Sequence, residues 1–132
     1  MSEWKQFFEA DVLRILGSEE FDLREPHHFG HPFVTPYQLA VAFERDNREL
    51  CQRFGKKIGE GNGMENLPTY IAHELSRLIL SEGEDCPVEA AWLSGTQLPS
   101  IRYRHAGESK QGTPNPTHHG YSLYRLKATA NT

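Results

Sequence analysis

An α+β fold, with three main helices followed by a small antiparallel β-sheet, is the architecture that this 132-residue sequence predicts. Apolar residues recur at helical spacing as far as Ile79, and beyond Pro87 they gather into short runs of aromatic and branched residues with period-two alternation. The mass of 15.1 kDa is that of one domain. Residues 1–132 are therefore expected to form a single unit, with an N-terminal helix over 3–16, a helical core over 35–81 and a β-hairpin or sheet region over 88–127. Hydrophobic residues at 37% and charged residues at 24%, with a mean hydropathy of −0.64, provide a core with substantial loops and exclude disorder throughout.

The first helix is read from Trp4, Phe7, Phe8, Val12, Leu13, Ile15 and Leu16, which fall near one face with charged residues between them, and Gly17 is placed to end it in a left-handed conformation. The stretch to Phe33 holds Pro26, Gly30, Pro32 and three histidines and should be irregular. Val34-Thr35-Pro36-Tyr37-Gln38-Leu39 is the sharpest local signal. Thr35 caps the first turn, Pro36 suits the first helical position, Gln38 completes a capping box, and Val34 with Leu39 forms a hydrophobic staple. The spacing predicts one continuous helix through Phe43 to Phe54, with the charged stretch Glu44 to Glu49 as the place where it would otherwise turn. Four glycines between Gly55 and Gly63 predict a flexible loop. Asn66 and Pro68 then open a third helix whose apolar face is Leu67, Ile71, Leu75, Leu78 and Ile79.

Three strands are expected, over Val88–Leu93, Ile101–His105 and Tyr121–Leu126, and the helices should pack on Trp92, Ile101, Tyr103 and Leu123 or Leu126. In the second strand Ile101, Tyr103 and His105 face one side, while Arg102 and Arg104 face the other. Ala106 to Gly120, with three glycines and two prolines, reads as a mobile hairpin tip.

Charge is divided unevenly along this order. Residues 1–98 carry nine Lys/Arg against seventeen Asp/Glu, a net of −8, and residues 99–132 carry five against Glu108 alone, a net of +4. Helix, helix, glycine loop, helix and basic hairpin is an order compatible with a winged helix-turn-helix, in which one helix enters the major groove and the hairpin touches phosphates. In that reading Arg102, Arg104, Lys110, Arg125 and Lys127 contact phosphates, Lys56 and Lys57 extend the track, and Tyr103, Tyr121 and Tyr124 interleave as stacking aromatics. The expected function is a non-enzymatic cytoplasmic module that binds nucleic acid, as a regulator or within a larger complex. Against it stand the acidic total charge and a third helix with few polar readers.

Two other classes remain open. A protein–protein adaptor would dock through the Trp4/Phe7/Phe8 edge or Trp92. A metal-dependent enzyme would gather His27, His28 and His31 with His118 and His119, although no ligand spacing such as HExxH is present. No cofactor is called for, because the glycine loop fits neither phosphate-binding fingerprint. Cys51 and Cys86 lack a CxxC partner and read as free thiols, and no nucleophile motif is present. No apolar run approaches the roughly 18 residues of a membrane span, and the N-terminus lacks the pattern of a secretion signal, so no membrane partner is expected.

Overall fold

The computed structural model describes residues 2–21, 28–59 and 63–128, and its mixed helices and antiparallel strands are of the α+β class. A wide π-helical turn over Trp4–Phe8 leads into α1 (Glu9–Leu16). Trp4, Phe8 and Val12 recur every four residues, a spacing that drifts off a 3.6-residue helix. The wide turn takes up that drift, and all three are buried. The chain stops at Gly17 for a reason other than a left-handed cap. Its φ is −97°, and a Cβ there would meet Leu126 Cδ1 at 2.9 Å, so glycine is required by the close approach of the last strand.

Helix α2 (Pro36–Asp46) begins as the sequence predicts. The Gln38 N–H donates to Thr35 Oγ1 at 3.2 Å, and the Thr35 N–H donates to Gln38 Oε1 at 2.7 Å. Replacing Thr35 with alanine should cost about 1 kcal/mol in a urea melt, and an unchanged midpoint would mean that the cap adds nothing. The expected continuous helix to Phe54 is instead broken at Asn47, which separates α2 from α3 (Arg48–Arg53). The side chain accounts for the break. Asn47 Nδ2 donates to Phe43 O at 3.2 Å and to Asp11 Oδ2 on α1 at 2.8 Å, offering the backbone a local alternative to the helical ladder.

The glycine-rich segment is tied down at both described ends. Lys57 bridges Asn66 in parallel, with the Lys57 N–H on Glu65 O and the Leu67 N–H on Lys57 O. Asn66 precedes α4 (Leu67–Glu82) as expected but does not cap it. Its amide accepts from Gly59 N and donates to Thr69 Oγ1.

Strand β1 (Val88–Ser94) pairs antiparallel with β4 (Gly120–Leu126), and β2 (Ile101–His105) pairs antiparallel with β3 (Glu108–Gly112), so one two-stranded ribbon is nested inside the other. On its other edge β4 is bridged by Val34, through reciprocal bonds of 2.9 Å between the Val34 and Tyr124 backbones. The spatial order is thus Val34, β4, β1. The core lies between this ribbon and the helices, with Phe8, Leu39, Phe43, Leu67, Ile71, Leu75, Val88 and Tyr124 fully enclosed. Tyr124 anchors the ribbon to α4 by donating to Ala72 O at 3.1 Å and sharing a bond with Ser76 Oγ at 2.9 Å. Among the described residues no helix is long and apolar enough to cross a membrane.

Candidate nucleic-acid interface

The β2–β3 hairpin closes through Ala106 and Gly107, both at positive φ (53° and 79°), a two-residue turn whose twist matches that of paired strands. Residues 106–120 are therefore not one mobile tip. They contain the turn, all of β3 and a bonded loop before β4. The register places Tyr103 opposite Lys110 and Arg104 opposite Ser109, which divides the hairpin into two faces.

The inner face docks on α2. Tyr103 stacks on Tyr37 with ring centroids 5.0 Å apart at 16°, and Tyr37 donates its hydroxyl to Thr113 O at 3.1 Å. Burial raises the pKa of both phenols and holds them neutral. His105 Nε2 lies 3.0 Å from Glu44 Oε2, while its Nδ1 is buried with no partner among the described residues. Gly112 passes so close to the Tyr37 ring that a Cβ there would fall 2.2 Å from Cζ. The outer face carries Arg102, Arg104, Ser109 and Gln111, all exposed. Neither the Arg102 nor the Arg104 side chain meets a hydrogen-bond or ion-pair partner among the described residues, and the two sit roughly 7 Å apart along the strand.

The other candidate cations do not join that face. Lys110 lies on the inner side and donates to Ile58 O at 3.2 Å. Lys56 is almost enclosed, its ammonium 3.8 Å above the Tyr70 ring, 2.8 Å from Met64 O and 3.8 Å from Glu3. Lys57 is held in the bridge to Asn66. Arg125 pairs with Glu89 at 2.7 Å, donates to Phe29 O and His31 O, and stacks over Phe33. Lys127 donates to Glu84 O at 3.1 Å. The expected single basic track is thus not assembled, because strand pairing turns Lys110 away from the arginines, groups elsewhere in the fold engage Lys56, Arg125 and Lys127, and Lys57 lies across the cleft from the outer face. Lys56, Lys57 and Lys110 meet instead in a cleft of about 410 Å³ beneath the hairpin, together with Glu44, His105 and Arg48. Arg48 carried no signal in the sequence, being one charge among six on a helix.

The aromatic residues are also redistributed. Tyr121 and Tyr124 are buried and Tyr103 is stacked, so none presents a free ring face of the kind expected. Trp92, expected in the core, is instead 57% exposed, at the side of a cleft between α4 and the outer ribbon. The Trp4/Phe7/Phe8 edge is absent as a docking surface. Trp4 and Phe8 are core, and Phe7 packs on Phe54 beneath the Arg53 guanidinium.

Burial, with Glu44 nearby, pushes the Cys51 thiol up to about 11, which keeps it protonated and unreactive at neutral pH. Both cysteines are buried and unpaired with each other. Among the described residues no three His, Cys, Asp or Glu side chains converge as a ligand set. His27 lies outside the described residues, His28 packs on Phe29, and His118 packs on Trp92. No protein-family model, curated protein or solved structure matches this chain.

Proposed function

We propose that this protein is a nucleic-acid-binding module of winged-helix type, whose phosphate contacts come from the outer face of the β2–β3 hairpin. The observation that carries the reading is the pair Arg102 and Arg104, exposed at alternate positions of one strand with no acidic residue among the described ones bonded to either. Element order supports the winged-helix part. Helix α1, the Val34 bridge, α2, α4, β1 and β4 follow one another, with β4 between Val34 and β1, and the inner hairpin extends the wing. Lys110, held by a carbonyl rather than a carboxylate, keeps its positive charge on the same hairpin and adds to the field around it.

The test is a salt titration of binding to a labelled duplex and a labelled single strand, with wild type and the Arg102→Ala/Arg104→Ala variant. Two lost phosphate contacts should flatten the slope of log K against log salt by about 2 and leave the thermal melt unchanged. Absence of binding by wild type at low salt would overturn the proposal. So would a double variant with the wild-type slope. An adaptor reading draws on the unpaired outer edge of β1 and its neighbours Leu93 and Leu98, 38% and 37% exposed. Docking there would be nearly indifferent to salt.

A further inference from the structure

We propose that the cleft between α4 and the outer ribbon holds an unpaired nucleobase stacked on Trp92, so that the ligand of this module is single-stranded rather than duplex nucleic acid. The inference rests on the nucleic-acid reading above and names the strand class. It starts from the contrast between the two tryptophans, since Trp4 is 3% exposed within the aromatic core and Trp92 is 57% exposed. A large ring left open to water beside a cleft is an unfilled contact surface.

The platform is built rather than incidental. On the ribbon face that carries Trp92, the neighbouring Ala90 is small and the register partner of Trp92 is Ser122, while the bulky Tyr124 opposite Ala90 is drawn onto α4 by its bonds to Ala72 O and Ser76 Oγ. One edge is bounded by His118, whose ring centroid lies 5.4 Å away at 51°. His118 is held there by a tightly bonded loop. Asn115 Oδ1 accepts from the Thr117 and His118 N–H groups at 2.8 and 3.1 Å, the Asn115 N–H donates to Gly120 O at 2.9 Å, and Asn115 O accepts from the His119 N–H at 2.7 Å. Gly95 lets this loop lie against the end of β1, because a Cβ there would stand 2.4 Å from His119 O. A ring site fixed in advance loses little freedom when it is occupied.

The chemistry of the lining selects the occupant. Across the cleft from Trp92 stand Thr69, His73 and Ser76 of α4, with Asn115 and Ser122 beside it, in a volume of about 400 Å³. Among the described residues that line it there is no Asp, Glu, Lys or Arg. Amides, hydroxyls and imidazoles match the donor and acceptor edges of a base, and the indole matches its π face. A cationic partner for a phosphate is absent from the described lining, but the chain that leaves the cleft at the end of β1 runs through the loop 95–100 into β2, which bears Arg102 and Arg104. Base inside and backbone outside is the division of labour of single-strand binders.

The experiment follows tryptophan fluorescence during titration with a pyrimidine oligonucleotide and with a duplex of equal length, in wild type and in Trp92→Ala and Trp92→Phe. Saturable quenching by the single strand is expected, absent from Trp92→Ala because the remaining Trp4 is enclosed. Single-strand affinity should fall roughly 5- to 100-fold in Trp92→Ala and far less in Trp92→Phe, which keeps a π face. Unchanged melts will show that both variants are folded. Salt-sensitive binding with equal affinity for duplex and single strand, unaffected by Trp92→Ala, would overturn this inference while leaving the hairpin reading intact. No binding of either nucleic acid at low salt would overturn both. Quenching by a neutral oligosaccharide but not by the oligonucleotide would overturn the base assignment and give the cleft to a sugar.

Discussion

Truncating Phe8 to alanine should lower stability by about 3–5 kcal/mol, against a total of roughly 5–15 kcal/mol for a domain of this kind. Phe8 has no exposure and sits at the centre of the aromatic cluster. It stacks on Phe43 at 5.0 Å, meets Tyr70 edge-on at 5.1 Å, and lies 5.9 Å from Phe54 and 6.3 Å from Trp4. These neighbours come from the N-terminal turn, α2, the end of α3 and α4, so the gap could close only if several helices moved together. The cavity term then adds to the lost transfer energy. A urea melt reads the result as a lower midpoint. A loss under 1 kcal/mol would mean that the cluster collapses onto the gap and that the four elements are not rigidly joined through this ring.

Arg125→Ala should be the next most damaging change, at about 2–3 kcal/mol, although composition alone groups Arg125 with the arginines proposed to contact phosphate. Its guanidinium bonds Glu89 across the ribbon, donates to two carbonyls of the segment before Val34, and lies 4.2 Å from the Phe33 ring centroid. Removing it leaves a half-buried carboxylate at Glu89 and two carbonyls that must find water. Gly30 is part of the same joint, for it runs at φ +95° with Arg125 Nη1 only 3.4 Å from where a Cβ would stand. Arg125→Lys should recover only part of the loss, since an ammonium keeps the charge and not the fork. A calorimetric melt of Arg125→Ala at the wild-type temperature would refute this placement and return Arg125 to the proposed binding surface. Arg125→Ala is for the same reason a probe of the fold, whereas Arg102 and Arg104, which bond no side chain among the described residues, can be replaced without opening such a joint.

What was legible in the sequence was local. The Thr35 to Leu39 start could be read because every participant in the capping box lies within four residues. The α4 face could be read because its period persists over four turns. Strand β3 was invisible, since Glu108-Ser109-Lys110-Gln111-Gly112 has almost no β-propensity and is a strand only because the turn before it and the docking of β2 on α2 present it with a partner. The side on which Lys110 emerges depends on that register, so no reading of charge along the chain could separate it from Arg102 and Arg104. The break at Asn47 lay within the stretch marked as a possible turn, but its cause, a bond to Asp11, joins residues far apart in sequence. The sequence offers Trp92 both as a core ring and as a docking residue and cannot choose between them. Its exposure depends on how the first half of α4 lies beside the ribbon, which is a tertiary fact.

The nested ribbons also bear on how the protein can change over time. Ser94 and Gly120 are register partners at the end of the β1–β4 ladder, so the chain leaves and re-enters the core side by side. Everything between them is an appendage in topological terms, joined to the body through Tyr37, Glu44 and Ile58 at the margin of the core. Its length and surface can drift, shrink or be exchanged by insertion and deletion without reopening the packing of Phe8, Leu39 or Tyr124. The outer face of the β2–β3 hairpin and the enclosed core are therefore written in separate stretches of this chain, and selection can act on one while sparing the other.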